Sequence, residues 1–494
     1  MRHLLLNLIR RCSIYRLLLA IASVMLTTTI ATGNNNLPDL GDESDSIMSP
    51  YEERRLGEAY MRQARRQLKY LNDPELLTYV QELGQRLAKH SDTPDQEFQF
   101  FIVDDPSINA FAVPGGFITV HSGLITSAQN EGELASVIAH EIAHITQRHI
   151  PRMLAAQQRS TLPSMAALIA AIILLNSGNN EGGQAAIALS TAGMIQRGIN
   201  FTRHHEEEAD RVGTRLLADS GMDPRSMPAF FKRLTSWSRL YSTNTPEFLL
   251  THPLSTRRMT ESENRAANYP VKNIPPSPAF HHAQARLRAL HDRRQPEQTV
   301  RSFEANLKQK KYTFAQVEHY GYALALSKAG QHKKAQTEFS SLIAKTKNTS
   351  QRRRYEKARA ETQIEAGDFK SAIDSLGRLH KQRPDDAGIA LSYATALMRD
   401  RQFKQAHQLL RILVRKQKQD PTLQRMLATA AGEATKPVES HRAMAEYYFL
   451  NGIPNAALEQ LAIARKHAGA SQYSLAAIDA RVNEIKHIME RDKN

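Results

Sequence analysis

Four short stretches in the second half of the chain align with one another: Gly330-Gln-His-Lys-Lys-Ala335, Gly367-Asp-Phe-Lys-Ser-Ala372, Arg401-Gln-Phe-Lys-Gln-Ala406 and Gly452-Ile-Pro-Asn-Ala-Ala457. Each has a turn residue followed five places later by a small alanine, at successive spacings of 37, 34 and 51 residues. Alanines also recur ahead of the turns, at Ala323, Ala360 and Ala394. A two-helix unit of this length cannot bury its apolar face alone, so neighbouring units must stack, and the alanines let their helices approach closely. From about Ala279 onward the sequence therefore predicts a helical solenoid with a concave groove. The 51-residue step is half a repeat too long and predicts an extra or irregular helix. An ordinary helical bundle without a groove is the alternative.

A period near 34 residues is that of a tetratricopeptide array. What precedes it has a different texture. Arg2, Arg10, Arg11 and Arg16 make a basic start, Leu17 to Ala31 is uncharged and largely apolar, and small residues follow, which is the layout of an export signal cleaved near Ala31 to Gly33. A retained anchor is the alternative, although the stretch is shorter than the ~20 residues a spanning helix needs. The only cysteine, Cys12, lies in that segment, so an internal disulfide and cysteine-rich zinc modules are excluded. The chain carries 65 Lys+Arg against 50 Asp+Glu. In an exported protein with no aromatic-interleaved basic motif, that excess points to anionic surfaces or acidic clients and away from nucleic acid.

Between these regions, Ser49 to His90 reads as helices punctuated by Asn72-Asp73-Pro74, Phe98 to Val103 as a strand, and Ala110 to Val120 as a second strand containing Pro114-Gly115-Gly116, hence an edge or a bulge. Asn130 to about Ile150 is a helix opening with Asn130 as N-cap and Glu133 in the manner of a capping box. Met165 to Leu175 is an unbroken apolar run within a segment, 161 to 200, that reads as a buried helical hairpin or as a flap meeting a membrane or an unfolded client. A charged helix covers about Thr202 to Ser220, and prolines from Pro246 to Pro278 mark the exit from this region.

The chemistry sits on the capped helix, at His140-Glu141-Ile142-Ala143-His144. Histidines four apart lie about 40° apart around a helix, so both imidazoles can reach one ion, with Glu141 placed to contact a water at that ion. Leu134, Val137, Ile138, Ile142 and Ile145 would anchor the helix. A tetrahedral zinc centre with an open position needs a third protein ligand. Gln147 and Ile150 occupy the places where an extended motif would carry its glycine and third histidine, and His149 falls on roughly the opposite side of the helix. The supplier is then His204-His205-Glu206-Glu207-Glu208-Ala209-Asp210, where Glu206 and Asp210 border the buried face while Glu207 and Glu208 turn toward solvent. Glu206 is the expected ligand, with His205 a rival. Asp210 is placed to accept a hydrogen bond from the outer nitrogen of a ligating histidine.

These residues resemble a known family. The pair of motifs, together with Asn109-Ala110-Phe111-Ala112-Val113-Pro114-Gly115-Gly116 and Thr251-His252-Pro253 with Arg258 after it, is similar to the zinc metallopeptidases of the HtpX and CaaX-prenyl-protease type. The leader, the Leu37-Pro38-Asp39 start and the C-terminal repeats narrow the likeness to periplasmic proteases of the BepA type. The resemblance implies a mainly α protein with a small β-sheet: a signal over 1–33, an α+β zinc metallopeptidase domain over 34–278 and a tetratricopeptide solenoid over 279–494. It also implies a dual protease and chaperone for outer-membrane β-barrel proteins, with the repeat groove docking clients or the assembly machinery. One zinc per chain would be held by His140, His144 and Glu206, with Glu141 as general base. An extended client would pair along Phe111, Ala112 and Val113 and the adjoining Gly115 and Gly116, unless Pro114-Gly115-Gly116 is a simple bend. His252 has three readings: it stabilises the oxyanion, it fills the open metal position as a latch, or it caps a turn. Arg258 is expected in a structural ion pair. A chaperone or adaptor whose zinc site is latent or structural is the competing function.

Overall fold

The computed structural model describes residues 48–156, 203–240 and 246–492. The expected export signal with Cys12 and the whole 161–200 segment lie outside them. Helix α1 (Pro50–Gln67) starts at a capping box between Ser49 and Glu52, and α2 (Pro74–Ala88) starts at Asp73, whose carboxylate accepts from the amides of Glu75 and Leu76. The strands are β1 (Gln99–Val103), β2 (Ala110–Val113) and β3 (Phe117–His121), ordered β1-β3-β2 with β1 parallel and β2 antiparallel to β3. The stretch expected as one strand is thus a hairpin. Gly115 and Gly116 turn it at φ 85° and 91°, a conformation in which a side chain would be strained, and both are packed tightly against the backbones of Arg54 and Glu97. One side of β2 is the sheet edge.

A short helix α3 (Ser122–Ser127) leads to α4 (Glu131–Thr146), the central helix, in which every residue from Glu133 to Ile145 is buried. Asn130 caps it by accepting from the Glu133 amide, while the Glu133 carboxylate accepts from the amide of Gln129, one residue outside the expected box. Leu134, Val137, Ile138, Ile142 and Ile145 are buried as expected, each contributing roughly 1.5–3 kcal/mol by burial. The helix stops at Thr146, four residues before the expected end, because Arg148 takes the left-handed conformation (φ 51°). A new helix α5 (His149–Ala156) begins at once. Helix α6 (Arg203–Asp219) lies along α4 with Gly213 against the backbone of Ala139 and His140, where a Cβ would be 3.2 Å from the His140 nitrogen. Helices α7 (Ser226–Leu240), α8 (Glu247–Thr251) and α9 (Thr256–Ala267) complete this region.

Helix α10 (Pro278–Leu290) belongs to both halves: Phe280, Ala283 and Leu287 enter the core around the sheet, while Ala285 and Ala289 enter the first repeat core. Helical hairpins then follow to Arg491. The aligned turn residues Gly330, Gly367, Arg401 and Gly452 all have left-handed backbones, and Ala335, Ala372, Ala406 and Ala457 are fully buried. Inside the long step, Thr435 supplies another left-handed turn 34 residues after Arg401, and Pro437–Leu450 is the extra helix. Among the described residues, the array touches the sheet-bearing region at the start of α2 and along α1. Asp73 and Glu75 at the start of α2 meet Arg286, Arg354 and Lys357, and Arg65 of α1 donates to the Leu450 carbonyl at 3.0 Å. No helix among the described residues is long and apolar enough to cross a membrane.

Candidate metal centre

Helix periodicity puts His140 and His144 on one side of α4, and the close approach of α6 at Gly213 brings Glu206 and Asp210 to them. Ligand atoms of His140, His144, Glu206 and His252, all buried, lie within 4.8 Å of one another. The Nε2 atoms of His140 and His144 are 3.0 Å apart, and each is 3.5 Å from a Glu206 oxygen. His252, at the C-terminal end of α8, brings Nδ1 to 2.9 Å from Glu206 Oε1 and 3.3 Å from His140 Nε2. Its ring stacks on Phe248 at 4.7 Å. Glu141 is fully buried beside the cluster, 3.5 Å from His252 Nε2, and neither of its oxygens has a hydrogen-bond partner among the described residues. His205, the rival ligand, is outside the cluster and stacks on His149 at 4.6 Å.

Asp210 Oδ1 is 3.1 Å from His140 Nδ1, the nitrogen facing away from the cluster. Arg258 donates to both Asp210 oxygens at 2.8 Å and to the Pro253 carbonyl, and its Nη1 is 2.8 Å from Glu206 Oε2. Its ion pair is therefore part of the site's framework, tying α9 to two acidic residues of α6.

Three carboxylates, Glu141, Glu206 and Asp210, stand here against one guanidinium. Burial alone would push the Glu206 carboxyl up, but His252 and His140 outweigh it and hold the group well below the usual range. Burial is likewise overcome at Asp210, which hydrogen bonds with His140 and Arg258 keep low. Burial would lower His140, yet Asp210 and Glu206 push it up to about 9. Burial, then the charge of His140, holds His144 well below its ordinary value. At Glu141 burial wins over the pull of His252 and His140 and the carboxyl is raised. A buried site in which imidazole and carboxylate donors converge on one point fits a divalent cation.

Phe111 and Val113 are buried and Ala112 is half-buried on β2, which packs beside α4, and the Ala112 backbone approaches the Glu141 carboxyl. In the hairpin turn, Gly115 packs against Glu53 and Arg54 of α1 and Gly116 against Glu97. Two residues were misplaced by the helical wheel. His149 does not point away: its Nδ1 is 2.8 Å from His144 Nδ1. Glu208 does not face solvent but meets His149 Nε2 at 3.2 Å and Arg152 at 2.9 Å. The wheel assumed an unbroken helix through Arg148, and a non-glycine residue in the left-handed region has no clear sequence signal.

Residues 74–266 match peptidase family M48, and residues 363–430 match the tetratricopeptide repeat. The chain is 34% identical over 475 residues to the putative beta-barrel assembly-enhancing protease of Vibrio cholerae, covering 96% of this chain and 97% of that protein. It is 31% identical over 483 residues to the beta-barrel assembly-enhancing protease of Escherichia coli K12, covering 97% and 96% respectively. The mitochondrial metalloendopeptidase OMA1 of Schizosaccharomyces pombe is 27% identical over 194 residues, 39% of this chain and 54% of that protein. The chain is a metalloprotease with a tetratricopeptide array, and it belongs to peptidase family M48, among the beta-barrel assembly-enhancing proteases.

Proposed function

We propose that the protein is a zinc-dependent endopeptidase and chaperone of the periplasm, which cleaves misfolded or stalled outer-membrane β-barrel proteins and assists their assembly. The observation that carries this is the convergence of four buried donors from three helical segments beside the fully buried carboxylate of Glu141. His140, His144 and Glu206 would hold the zinc, which when bound supplies the Lewis acidity that polarises a peptide carbonyl and acidifies water. Glu141 takes the proton of the attacking water and passes it to the leaving amine, a role that suits a carboxyl raised by burial. Asp210 keeps His140 in the tautomer that presents Nε2 to the cluster. Arg258 holds Asp210 and Glu206 in place. An extended client adds itself to the edge of β2, where backbone pairing accepts many sequences. The repeat array docks clients or the outer-membrane assembly machinery.

His252 supports a resting state in which its Nδ1 fills the position a water would need, because it already contacts Glu206 at 2.9 Å. A chaperone with a latent site is the second reading, favoured by this contact. The test is a degradation time course with an unfolded outer-membrane barrel protein, run on the parent and on Glu141→Gln with zinc quantified in both. Equal zinc with a rate loss of roughly 10²–10⁴ in the variant supports the peptidase reading. Equal zinc and no cleavage by either would leave the chaperone reading.

A further inference from the structure

The two metal-facing histidines are supported differently. His140 has a carboxylate directly on its outer nitrogen, from Asp210. His144 has a second histidine there instead: Nδ1 of His144 and Nδ1 of His149 are 2.8 Å apart, and His149 Nε2 is 3.2 Å from Glu208 Oε2. Glu208 in turn is paired with Arg152 at 2.9 Å. His149 is completely buried, and His205 stacks on its face. We propose that His149 is a positioning residue for the metal centre, relaying the charge of Glu208 to His144 and fixing His144 with Nε2 bare toward the cluster. The inference rests on His144 being a metal ligand.

Proton bookkeeping leaves one arrangement. A histidine that binds a cation through Nε2 is neutral and carries its hydrogen on Nδ1. His144 Nδ1–H must then donate to His149 Nδ1, which places the hydrogen of His149 on Nε2, facing the Glu208 carboxylate. Every donor meets an acceptor, and the negative charge of Glu208 raises the basicity of His144 through the intervening ring. The other tautomer of His149 would set two N–H groups against each other and leave Glu208 facing a bare nitrogen.

The backbone shows that this is a built feature. On a continuous helix, five residues of separation would carry His149 about 140° away from His144. The left-handed Arg148 breaks α4 and returns His149 beneath His144. That conformation is uncommon outside glycine and persists only where the surroundings enforce it. Here the Arg148 side chain is bonded to Glu53 Oε1 at 2.8 Å and to the Met48 carbonyl, anchoring the break to α1.

The test uses the full mature chain. Zinc release into excess chelator and thermal unfolding in chelator are measured for the parent, His144→Ala, His149→Ala, His149→Gln and Glu208→Ala. His149→Ala is expected to release zinc roughly 10- to 100-fold faster than the parent. His149→Gln, which offers an acceptor and a donor at nearly the same reach, is expected to recover most of that loss, and Glu208→Ala to show a smaller loss in the same direction. Parent-like retention in His149→Ala overturns the proposal. So does equal loss in the Ala and Gln variants with a matching fall in the unfolding temperature in chelator, since that is a packing defect. If His149→Ala does not fold, parent-like retention in Glu208→Ala overturns it instead. Failure of His144→Ala to lose zinc would overturn the ligand assignment itself.

Discussion

Among the described residues, the buried charges at the junction with the repeats and those at the metal centre are balanced in different ways. At the junction between α2 and the repeats, Asp73, Glu75 and Glu361 face Arg286, Arg354 and Lys357, three carboxylates against three cations. Arg286 reaches Asp73 at 2.7 Å, Lys357 reaches Glu361 at 2.6 Å, and Ser392 and Tyr320 complete the hydrogen bonds to Glu361 and Glu75. In the metal centre three carboxylates face one guanidinium, Arg258, and imidazoles whose nitrogens converge on one point. A buried charge is tolerated only when compensated. The junction is therefore complete as protein, whereas the centre is built around a cation, which is how a structural interface differs from a reactive site made of the same residue types.

The largest test of that contrast neutralises one carboxylate in the centre. Glu206→Gln should lose zinc by more than the ~10- to 100-fold expected of a residue outside the ligand set, and proteolysis with it. In chelator the variant should also unfold below the parent's temperature, because Arg258, His140 and His252 hold the Glu206 carboxylate charged in the metal-free fold. Zinc analysis with paired melting curves reads both quantities. A chelator-treated variant as stable as the parent would mean that these partners do not compensate Glu206 and that only the cation does.

The junction gives the next effect, through pH. Burial would raise Glu361, but Lys357 and Arg286 hold it at about 2. A carboxyl depressed in the folded state contributes stability that is fully present above its unfolded value of ~4.3 and disappears as pH falls toward 2. The contribution is on the order of 3 kcal/mol. Denaturant unfolding in chelator should therefore show the parent losing more stability than Glu361→Gln between pH 5 and pH 2. Parallel losses would show that the network does not hold the array to the peptidase region.

The same contrast separates what was legible in the sequence from what was not. The repeat turns were legible because Gly330, Gly367 and Gly452 carry their conformation in their identity, and their buried alanines in their spacing. The convergence of His140, His144 and Glu206 was legible because a four-residue step and an apolar helix face are local properties. Arg401 aligned through the pattern around it, while Thr435 does the same job with no signal of its own. Arg148 is held by Glu53 from another helix, so the end of α4, the reach of His149 and the inward turn of Glu208 depended on contacts the local pattern does not encode. The junction network was invisible for the same reason: Asn72-Asp73-Pro74 reads as punctuation between helices, where Asp73 is a cap, and the second partner of Asp73 lies 213 residues away.

The smallest predicted effect concerns His252, where the two kinds of balance meet. Its turn is held independently of the cluster: Glu247 accepts from Ser107 at 2.8 Å, and the Phe248 amide donates to the Ile108 carbonyl at 3.1 Å. Removing the imidazole should leave α8 in place while withdrawing its contacts with Glu206 and Glu141. If His252 completes the centre as protein in the resting enzyme, His252→Ala should keep its zinc and raise basal proteolysis of an unfolded barrel protein by about tenfold. That factor corresponds to a closed state favoured by ~1.4 kcal/mol. If basal proteolysis stays level or falls, His252 is not a latch: a fall of kcat with zinc retained assigns it to the oxyanion, and no change assigns it to the turn before Pro253.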